Sequence, residues 1–196
     1  RIETITDDQL LQAMQEAGVK IPIAVSGTIE PMGTMLAGQS IDALYASLMH
    51  RDLLYIGLNC ATGPEFMTDH IRTLSKYSHF NTSCVPNAGL PDIHGHYLET
   101  PKMLATVVER FLSNQWLNVI GGCCGTTEQH IHVLSNLATH YKPRIATTES
   151  RSILSGIDPL EITNEIRPVI VGERTNVIGS RKFKRLICEE KFEEAA

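Results

Sequence analysis

The stretch LLYIGLNCATGPEFMTDHIRTLSKY, residues 53–77, joins a short apolar run, a reactive loop and an amphipathic segment. The apolar run at residues 54–58 predicts a buried strand, and the spacing over residues 65–77 predicts a helix, with Pro64 well suited to its first turn. Cys60 lies between them, directly after the predicted strand. A strand that leads into a helix is one βα unit, which predicts an α/β fold.

Four such units are predicted in the first 140 residues, after a short helix at the start of the chain. The strands are predicted at residues 21–25, 54–58, 79–85 and 117–120, and the helices at residues 7–17, 41–51, 65–77, 100–114 and 127–140. Parallel strands need crossover connections such as helices, so this alternation predicts a parallel sheet. Four units are half of a (β/α)8 TIM barrel, and an open doubly wound sheet is the alternative.

Polar or reactive residues follow three successive predicted strands. Cys60 follows the second strand, Asn87 the third, and Cys123 and Cys124 the fourth. The loops at the carboxyl ends of barrel strands converge over one mouth, whereas an open sheet gathers such residues at a single switch point. This distribution favours the C-terminal half of a TIM barrel.

The composition excludes some classes of partner. The chain is 42% apolar and 20% charged, with a formal net charge of -5, so it lacks the basic balance of a nucleic-acid-binding protein. No apolar run approaches the roughly 18 to 20 residues of a membrane span. The chain begins at Arg1 without the basic start and apolar stretch of a signal peptide. We therefore expect a piece of a longer cytoplasmic protein, with no nucleic-acid or membrane partner.

The five cysteines are an unpromising disulfide framework, because their number is odd and two are adjacent. We expect reduced thiols, as is usual in the cytoplasm. Cys84 and Cys188 are expected to be buried core residues. For Cys60, Cys123 and Cys124, spacing leaves metal binding and core burial equally open, because there is no CxxC pair.

Position rather than spacing can bring the three cysteines together. Cys60 ends one predicted strand and the pair Cys123 and Cys124 ends the strand two units later, so barrel closure can bring them within reach of one metal ion. Three thiolates leave one tetrahedral position of zinc open, as in catalytic sites. A substrate thiol bound there loses its proton, and thiolate is the reactive nucleophile. Such a site suits the alkylation of a thiol.

Histidine and asparagine offer further candidates. His94 and His96 lie on a loop and are expected to be solvated, whereas His130 and His132 are two residues apart on a predicted helix and do not share a face. Asn87 should face the same mouth as the cysteines, although turn formation in Pro-Asn-Ala-Gly is an alternative role.

The residue composition of the chain changes after residue 142. Residues 143–167 contain prolines among Thr, Ser and Glu, which predicts an interdomain linker. PVIVG at residues 168–172 predicts the first strand of a second barrel, and a charged helix is predicted over residues 180–194. The predicted domains are therefore residues 1–142, the linker, and residues 168–196.

Three motifs, in this order, resemble the homocysteine-binding domain of the cobalamin-dependent methionine synthase family. They are GLNCATGP at residues 57–64, PNAGLP at residues 86–91 and GGCCGT at residues 121–126, supported by SGTI at residues 26–29 and GQS at residues 38–40. In that family the domain is a (β/α)8 barrel in which three cysteines bind zinc and the sulfur of homocysteine takes the fourth position.

The resemblance implies roles for individual residues. Cys60, Cys123 and Cys124 match the zinc ligands, and Asn87 matches a residue that approaches the metal when substrate is absent. The sequence IET at the start of the chain resembles a barrel strand whose glutamate contacts the substrate amino group, which implies that role for Glu3.

The end of the chain resembles the start of a methyltetrahydrofolate-binding domain, through VGERTNV at residues 171–177 and KFKRLI at residues 182–187. Betaine–homocysteine methyltransferases share the zinc barrel but lack this domain. Its position at the end of the predicted strand implies that Asn176 contacts the pterin. The alternative is that Asn176 only forms the turn after the strand. The resemblance implies that methyl passes from 5-methyltetrahydrofolate to cobalamin and then to zinc-bound homocysteine, giving methionine.

These implications leave two other functions open. One is a different zinc-dependent thiol or selenol methyltransferase, with betaine or S-methylmethionine as the donor. The other is a non-catalytic zinc-binding remnant. Methylcobalamin would be bound by a cobalamin-binding module elsewhere in the full-length chain. The isolated chain is expected to be inactive, because half a barrel leaves strand edges unpaired.

Overall fold

The computed structural model describes residues 12–14, 16–60, 62–148, 151–170, 172 and 177–195. The chain divides into two compact units, Arg1–Glu161 and Ile162–Ala196. No helix in the described ranges is both long enough and apolar enough to cross a lipid bilayer.

Four parallel strands form the sheet of the first unit. They are β1 (Ile23–Gly27), β2 (Leu53–Asn59), β3 (Asn81–Val85) and β4 (Val119–Ile120). They are neighbours in chain order, β1-β2-β3-β4, and every adjacent pair is parallel. The predicted α/β class with a parallel sheet is confirmed. The sheet of the described residues has four strands and shows neither a barrel nor half of one, so the expected C-terminal half of a (β/α)8 barrel stays a prediction.

A helix follows each of these strands along the chain. These helices are α1 (Ile41–Leu48), α2 (Thr68–Tyr77), α3 (Pro101–Ser113) and α4 (Glu128–Ala138), with a 3-10 turn at Pro64–Met67 before α2. Ser40 caps α1, since its side chain accepts a hydrogen bond from the Ala43 amide. Pro64 begins the 3-10 turn rather than the α-helix. Residues 12–14 and 16–17 are helical within the helix predicted over residues 7–17.

One face of the sheet forms the core with the helices. Leu58 and Cys84 are register partners in β2 and β3, and both are fully buried. The Cys84 sulfur lies 3.8 Å from the sulfur of Met67. The prediction that Cys84 is a core residue is confirmed. Gly57 and Ser83, the preceding register pair, point to the other face, because side chains alternate along a strand.

An antiparallel hairpin lies inside the segment predicted to be a linker. It consists of β5 (Ile153–Leu154) and β6 (Leu160–Glu161). The Ser155 hydroxyl donates to the Ala43 carbonyl at 2.8 Å, and the Ser40 amide donates to the Ile157 carbonyl at 3.2 Å. These bonds attach the hairpin to α1.

The second unit contains α5 (Arg181–Cys188) and α6 (Phe192–Ala195), so the charged helix predicted over residues 180–194 is present in two pieces. The strand predicted at residues 168–172 is not found at its described positions, residues 168–170 and 172. A single strand has no partner for its backbone groups in the described part of this unit. Cys188 is exposed, contrary to its predicted burial, because Leu186 instead supplies the buried face of α5.

Candidate metal centre

The sulfur atoms of Cys60, Cys123 and Cys124 all lie within 4.8 Å of one another. Cys60 directly follows β2, and the other two follow β4 by a few residues. Their meeting at the carboxyl edge of the sheet agrees with the argument from strand ends. Among the described residues, these three side chains are close enough together to act as ligands of one metal ion.

The loop after β3 joins the two cysteine loops. The Val85 carbonyl accepts a hydrogen bond from the Cys60 amide at 3.1 Å, and the Pro86 carbonyl accepts one from the Cys123 amide at 2.8 Å. One short segment therefore fixes the backbone on both sides of the site.

Both cysteine turns adopt left-handed backbone conformations. Cys60 has φ 56°, which is uncommon for a residue with a Cβ and persists only where its surroundings enforce it. Gly125, with φ 76°, supplies the same freedom after Cys124. The Thr126 hydroxyl and amide both donate to the Cys123 carbonyl, at 2.7 and 3.1 Å. These turns direct the thiols towards a common point.

Asn87 is 5% exposed and lies at the site, as expected from its position after β3. Its side-chain oxygen accepts a hydrogen bond from the Cys124 amide at 3.1 Å. Its own amide donates to the Thr62 carbonyl at 3.2 Å, and the Ala88 amide donates to the Cys124 carbonyl at 2.9 Å. Asn87 therefore supports the backbone that carries the cysteines.

Cys60 and Cys123 are joined by a disulfide with a Cα separation of 5.7 Å, whereas Cys124 is a free, exposed thiol. The odd cysteine count did not predict this pair. The pair forms because the loops after β2 and β4 bring the two thiols within bonding distance. A disulfide and a thiolate metal site use the same sulfurs in different oxidation states, so a metal would be held by the reduced protein.

The donor set of the reduced site fits zinc. Thiolate sulfur is a preferred zinc ligand, and three protein ligands leave a fourth tetrahedral position for a substrate. The sulfurs of Cys123 and Cys124 are 3.8 Å apart. Two sulfurs bound to one tetrahedral zinc at about 2.3 Å each would be about 3.8 Å apart. The Cys123 and Cys124 pair therefore already has the spacing that zinc requires.

The histidines do not form a competing site in the described structure. His94 and His96 are exposed, as predicted, and their amides donate to the Asp92 carboxylate at 2.8 and 2.9 Å. His130 is buried, where one ring nitrogen lies 3.1 Å from the Thr127 amide at the start of α4. His130 therefore has a structural role at the start of α4, and His94 and His96 are solvated loop residues.

The sequence did not single out Tyr97, which lies beside the cysteines. Burial raises the pKa of the Tyr97 phenol, and the nearby Cys124 side chain raises this pKa further. The one sequence signal was Gly125, which follows the cysteine pair. A Cβ atom at this position would overlap the ring of Tyr97. Glu3 and Asn176, the other predicted site residues, lie outside the described residues.

Comparison with known protein families agrees with the chemistry of this site. A family model for homocysteine S-methyltransferase matches residues 1–138, which include all three cysteines, Asn87 and the four parallel strands. The match covers most of the chain. The chain therefore belongs to the homocysteine S-methyltransferase family.

Proposed function

We propose that this chain is the homocysteine-activating part of a cobalamin-dependent methionine synthase. In the reduced protein, Cys60, Cys123 and Cys124 hold zinc, and the sulfur of homocysteine takes the remaining position. Bound zinc would keep that sulfur as a thiolate at neutral pH. The thiolate then accepts a methyl group, which gives methionine.

The convergence of three thiols from two strand ends is the observation that carries this proposal. The three sulfurs are within 4.8 Å of one another although they come from distant parts of the sequence. Cys60 and Cys123 are partly buried and Cys124 is exposed, so the cluster is open to a substrate on one side. The family match supports homocysteine as that substrate.

Methylcobalamin is the proposed methyl donor, recharged by 5-methyltetrahydrofolate. The support is the resemblance of residues 171–177 and 182–187 to the start of a pterin-binding domain. Cobalamin would be bound by another module of the full-length chain. In this proposal residues 1–142 belong to the homocysteine domain, residues 143–167 to a linker and residues 168–196 to the pterin domain.

We also propose that the sheet is part of a (β/α)8 barrel. The strands follow chain order without reversal from β1 to β4, as barrel strands do. The residues facing away from the helices include the small pair Gly57 and Ser83, which suits the crowded interior of a small barrel.

Three residue roles in this proposal rest on the resemblance. Glu3 binds the amino group of homocysteine, Asn176 contacts the pterin, and Asn87 approaches the metal when substrate is absent. The Asn87 side-chain oxygen accepts a hydrogen bond from the amide of Cys124, one of the proposed ligands.

The ligand assignment is tested by measuring zinc per chain after reduction, in the unchanged protein and in Cys60→Ser, Cys123→Ser and Cys124→Ser. Cys188→Ser is the matched control, because Cys188 is also exposed but belongs to the second unit. We expect about one zinc ion in the unchanged protein and the control, with strong loss in the three site variants. Full zinc occupancy in Cys123→Ser would refute the assignment.

The methyl donor is tested with the full-length protein, loaded with zinc and supplied with homocysteine. Methylcobalamin, betaine and S-methylmethionine are offered separately, and methionine is measured by mass spectrometry. Product from methylcobalamin alone supports the proposal. Product from betaine or S-methylmethionine identifies another methyltransferase of this family, and no product from any donor by the folded, zinc-loaded protein identifies a non-catalytic site.

A further inference from the structure

We infer that His130 is a positioning residue for the cysteine site, because its imidazole ties the start of α4 to Glu99 and thereby holds the turn that carries Cys123 and Cys124. The inference deepens the proposed zinc function and rests on it. It goes beyond the role of His130 at the start of α4, which uses only one of the two ring nitrogens.

The turn that carries Cys123 and Cys124 depends on a neighbouring loop more than on the sheet. The pairing of β4 with β3 ends at Ile120, and the Gly121 amide donates one more hydrogen bond to β3. Beyond that point, the amides of both cysteines and the carbonyl of Cys124 bond to the loop at residues 86–88. The position of the cysteine turn therefore depends on what holds this loop.

Glu99 holds the loop and also contacts the other side of the site. Its amide donates to the Ala88 carbonyl at 3.3 Å. Its side chain lies between Gly63 and Gly89, where a Cβ atom at either glycine would overlap it. Gly63 is in the loop that begins with Cys60, and Gly89 directly follows Ala88. Residue 99 is therefore in contact with both loops that determine where the sulfurs meet.

His130 connects Glu99 to the start of α4. The Thr127 amide donates to one ring nitrogen at 3.1 Å, so that nitrogen carries no hydrogen. The other ring nitrogen lies 2.9 Å from the Glu99 carbonyl, which can only accept, so this nitrogen is the donor. His130 is buried, and both of its polar atoms are in use. The two bonds fix the orientation of the imidazole.

These contacts form a closed series of hydrogen bonds that begins and ends at the cysteine turn. It runs from Cys124 to Ala88, Glu99, His130 and Thr127, just after the turn. The imidazole is the side-chain link in this series, and the other links are between backbone groups. Loss of its bond to Glu99 would open the series and release the turn. Residues that orient metal ligands typically change metal affinity by about 10- to 100-fold.

Three variants separate the bond to Glu99 from the bond at the start of α4. His130→Asn keeps an acceptor near the Thr127 amide but is too short to reach the Glu99 carbonyl. His130→Gln offers both an acceptor and a donor, and glutamine is favoured at this third helical position because it can accept from the N-cap amide. His130→Ala removes both bonds.

Two further variants of α4 are the controls. His132→Gln is the matched histidine control, because His132 is exposed and bonds Asn136 within the helix. Leu134→Ala is the stability control, because Leu134 is buried in the same helix but takes no part in the series.

Zinc affinity of each reduced chain is measured by competition with a chromophoric chelator. The absorption of the cobalt-substituted chain reports the coordination geometry. Amide hydrogen exchange of Ala88, followed by NMR in the reduced, metal-free chain, reports whether the bond to the Cys124 carbonyl is kept. Circular dichroism confirms that each variant is folded.

We expect His130→Asn and His130→Ala to bind zinc about 10-fold more weakly, with altered cobalt absorption and faster exchange of the Ala88 amide. His130→Gln should recover most of the affinity, and both control variants should bind zinc as the unchanged chain does. Full affinity in His130→Asn with loss only in His130→Ala would overturn the inference, because the helix start alone would then matter. An equal loss in Leu134→Ala would also overturn it, since general destabilisation would then explain the effect.

The outcomes also separate this inference from the proposed function. If the unchanged reduced chain bound no zinc, the proposed function would fail and the inference with it. Zinc binding by the unchanged chain, with unchanged affinity and unchanged Ala88 exchange in His130→Asn, refutes the inference alone.

Discussion

The side-chain oxygen of Asn87 accepts a hydrogen bond from the backbone amide of Cys124 at 3.1 Å, although the two residues follow different strands. Asn87 is almost fully buried, and the hydrogen bond that it accepts is partly buried. The contact couples the loop after β3 to the cysteine turn. It makes the stability of the fold and the geometry of the site depend on the same side chain.

Asn87→Ala is expected to lower both stability and metal affinity. Loss of this partly buried hydrogen bond should cost about 1 kcal/mol, and release of the Cys124 turn should weaken zinc binding by about 10-fold. Urea unfolding and chelator competition measure the two effects. Asn118→Ala is the control, because Asn118 also bonds backbone groups, at Thr82 and Arg144, but lies away from the sulfurs. Equal loss of zinc affinity in both variants would contradict a specific role for Asn87.

The sheet and the convergence of the cysteines could be predicted from sequence because both follow from local rules. Apolar runs and helical spacing located the strands, and strand ends placed Cys60 and Cys123 at one edge. Tyr97 could not be predicted, since its position depends on the bridge to Pro91 and on a hydrogen bond from the His96 amide to the Asp92 carboxylate, and neither contact has a sequence period. The hairpin of β5 and β6 was missed because its strands have only two residues each.

Gly57→Ala is expected to destabilise the sheet. Gly57 is the register partner of Ser83, and a Cβ atom there would overlap the Ser83 hydroxyl and its carbonyl group. A carbonyl in a ladder cannot move aside, so overpacking should cost about 1–3 kcal/mol. Gly27→Ala is the matched strand control, because its Cβ would chiefly meet the movable end of the Leu44 side chain. Urea unfolding should show the larger loss for Gly57→Ala, and an equal or smaller loss would refute the steric explanation.

Arg144→Met is expected to be strongly destabilising. Arg144 is 5% exposed, and its guanidinium donates to the carbonyl oxygens of Ser75 at 2.7 Å and Phe80 at 2.9 Å, and also to that of Ser78. Hydrogen bonds from a charged donor contribute about 1.5–3 kcal/mol each, and the carbonyls would lose several at once. The free energy of unfolding, measured in urea, should fall by about 3 kcal/mol or more.

Two further variants test the geometry at Arg144. Arg144→Lys should recover only part of the loss, because one ammonium group cannot reach three carbonyls in a planar fork. Arg72→Met, which removes an exposed partner of Asp69, should cost less than about 1 kcal/mol. Full recovery by lysine would show that charge, rather than the fork of donors, holds this part of the chain.

Cys84 is expected to make the fold sensitive to alkaline pH. Complete burial raises the pKa of the Cys84 thiol to about 12, so the folded protein keeps this proton where the unfolded chain, with a thiol pKa of about 8.5, releases it. The unfolded state therefore binds fewer protons above that pH, and stability falls as pH rises from about 8.5 towards 12. Cys84→Ala should flatten this dependence in urea unfolding measured between pH 8 and 11, even though it lowers stability at pH 7.

Labelling gives an independent check, because iodoacetamide should reach Cys188 in the folded protein but Cys84 only after unfolding. Rapid labelling of Cys84 in the folded chain, or an unchanged pH slope in Cys84→Ala, would show that the thiol is not held neutral by burial.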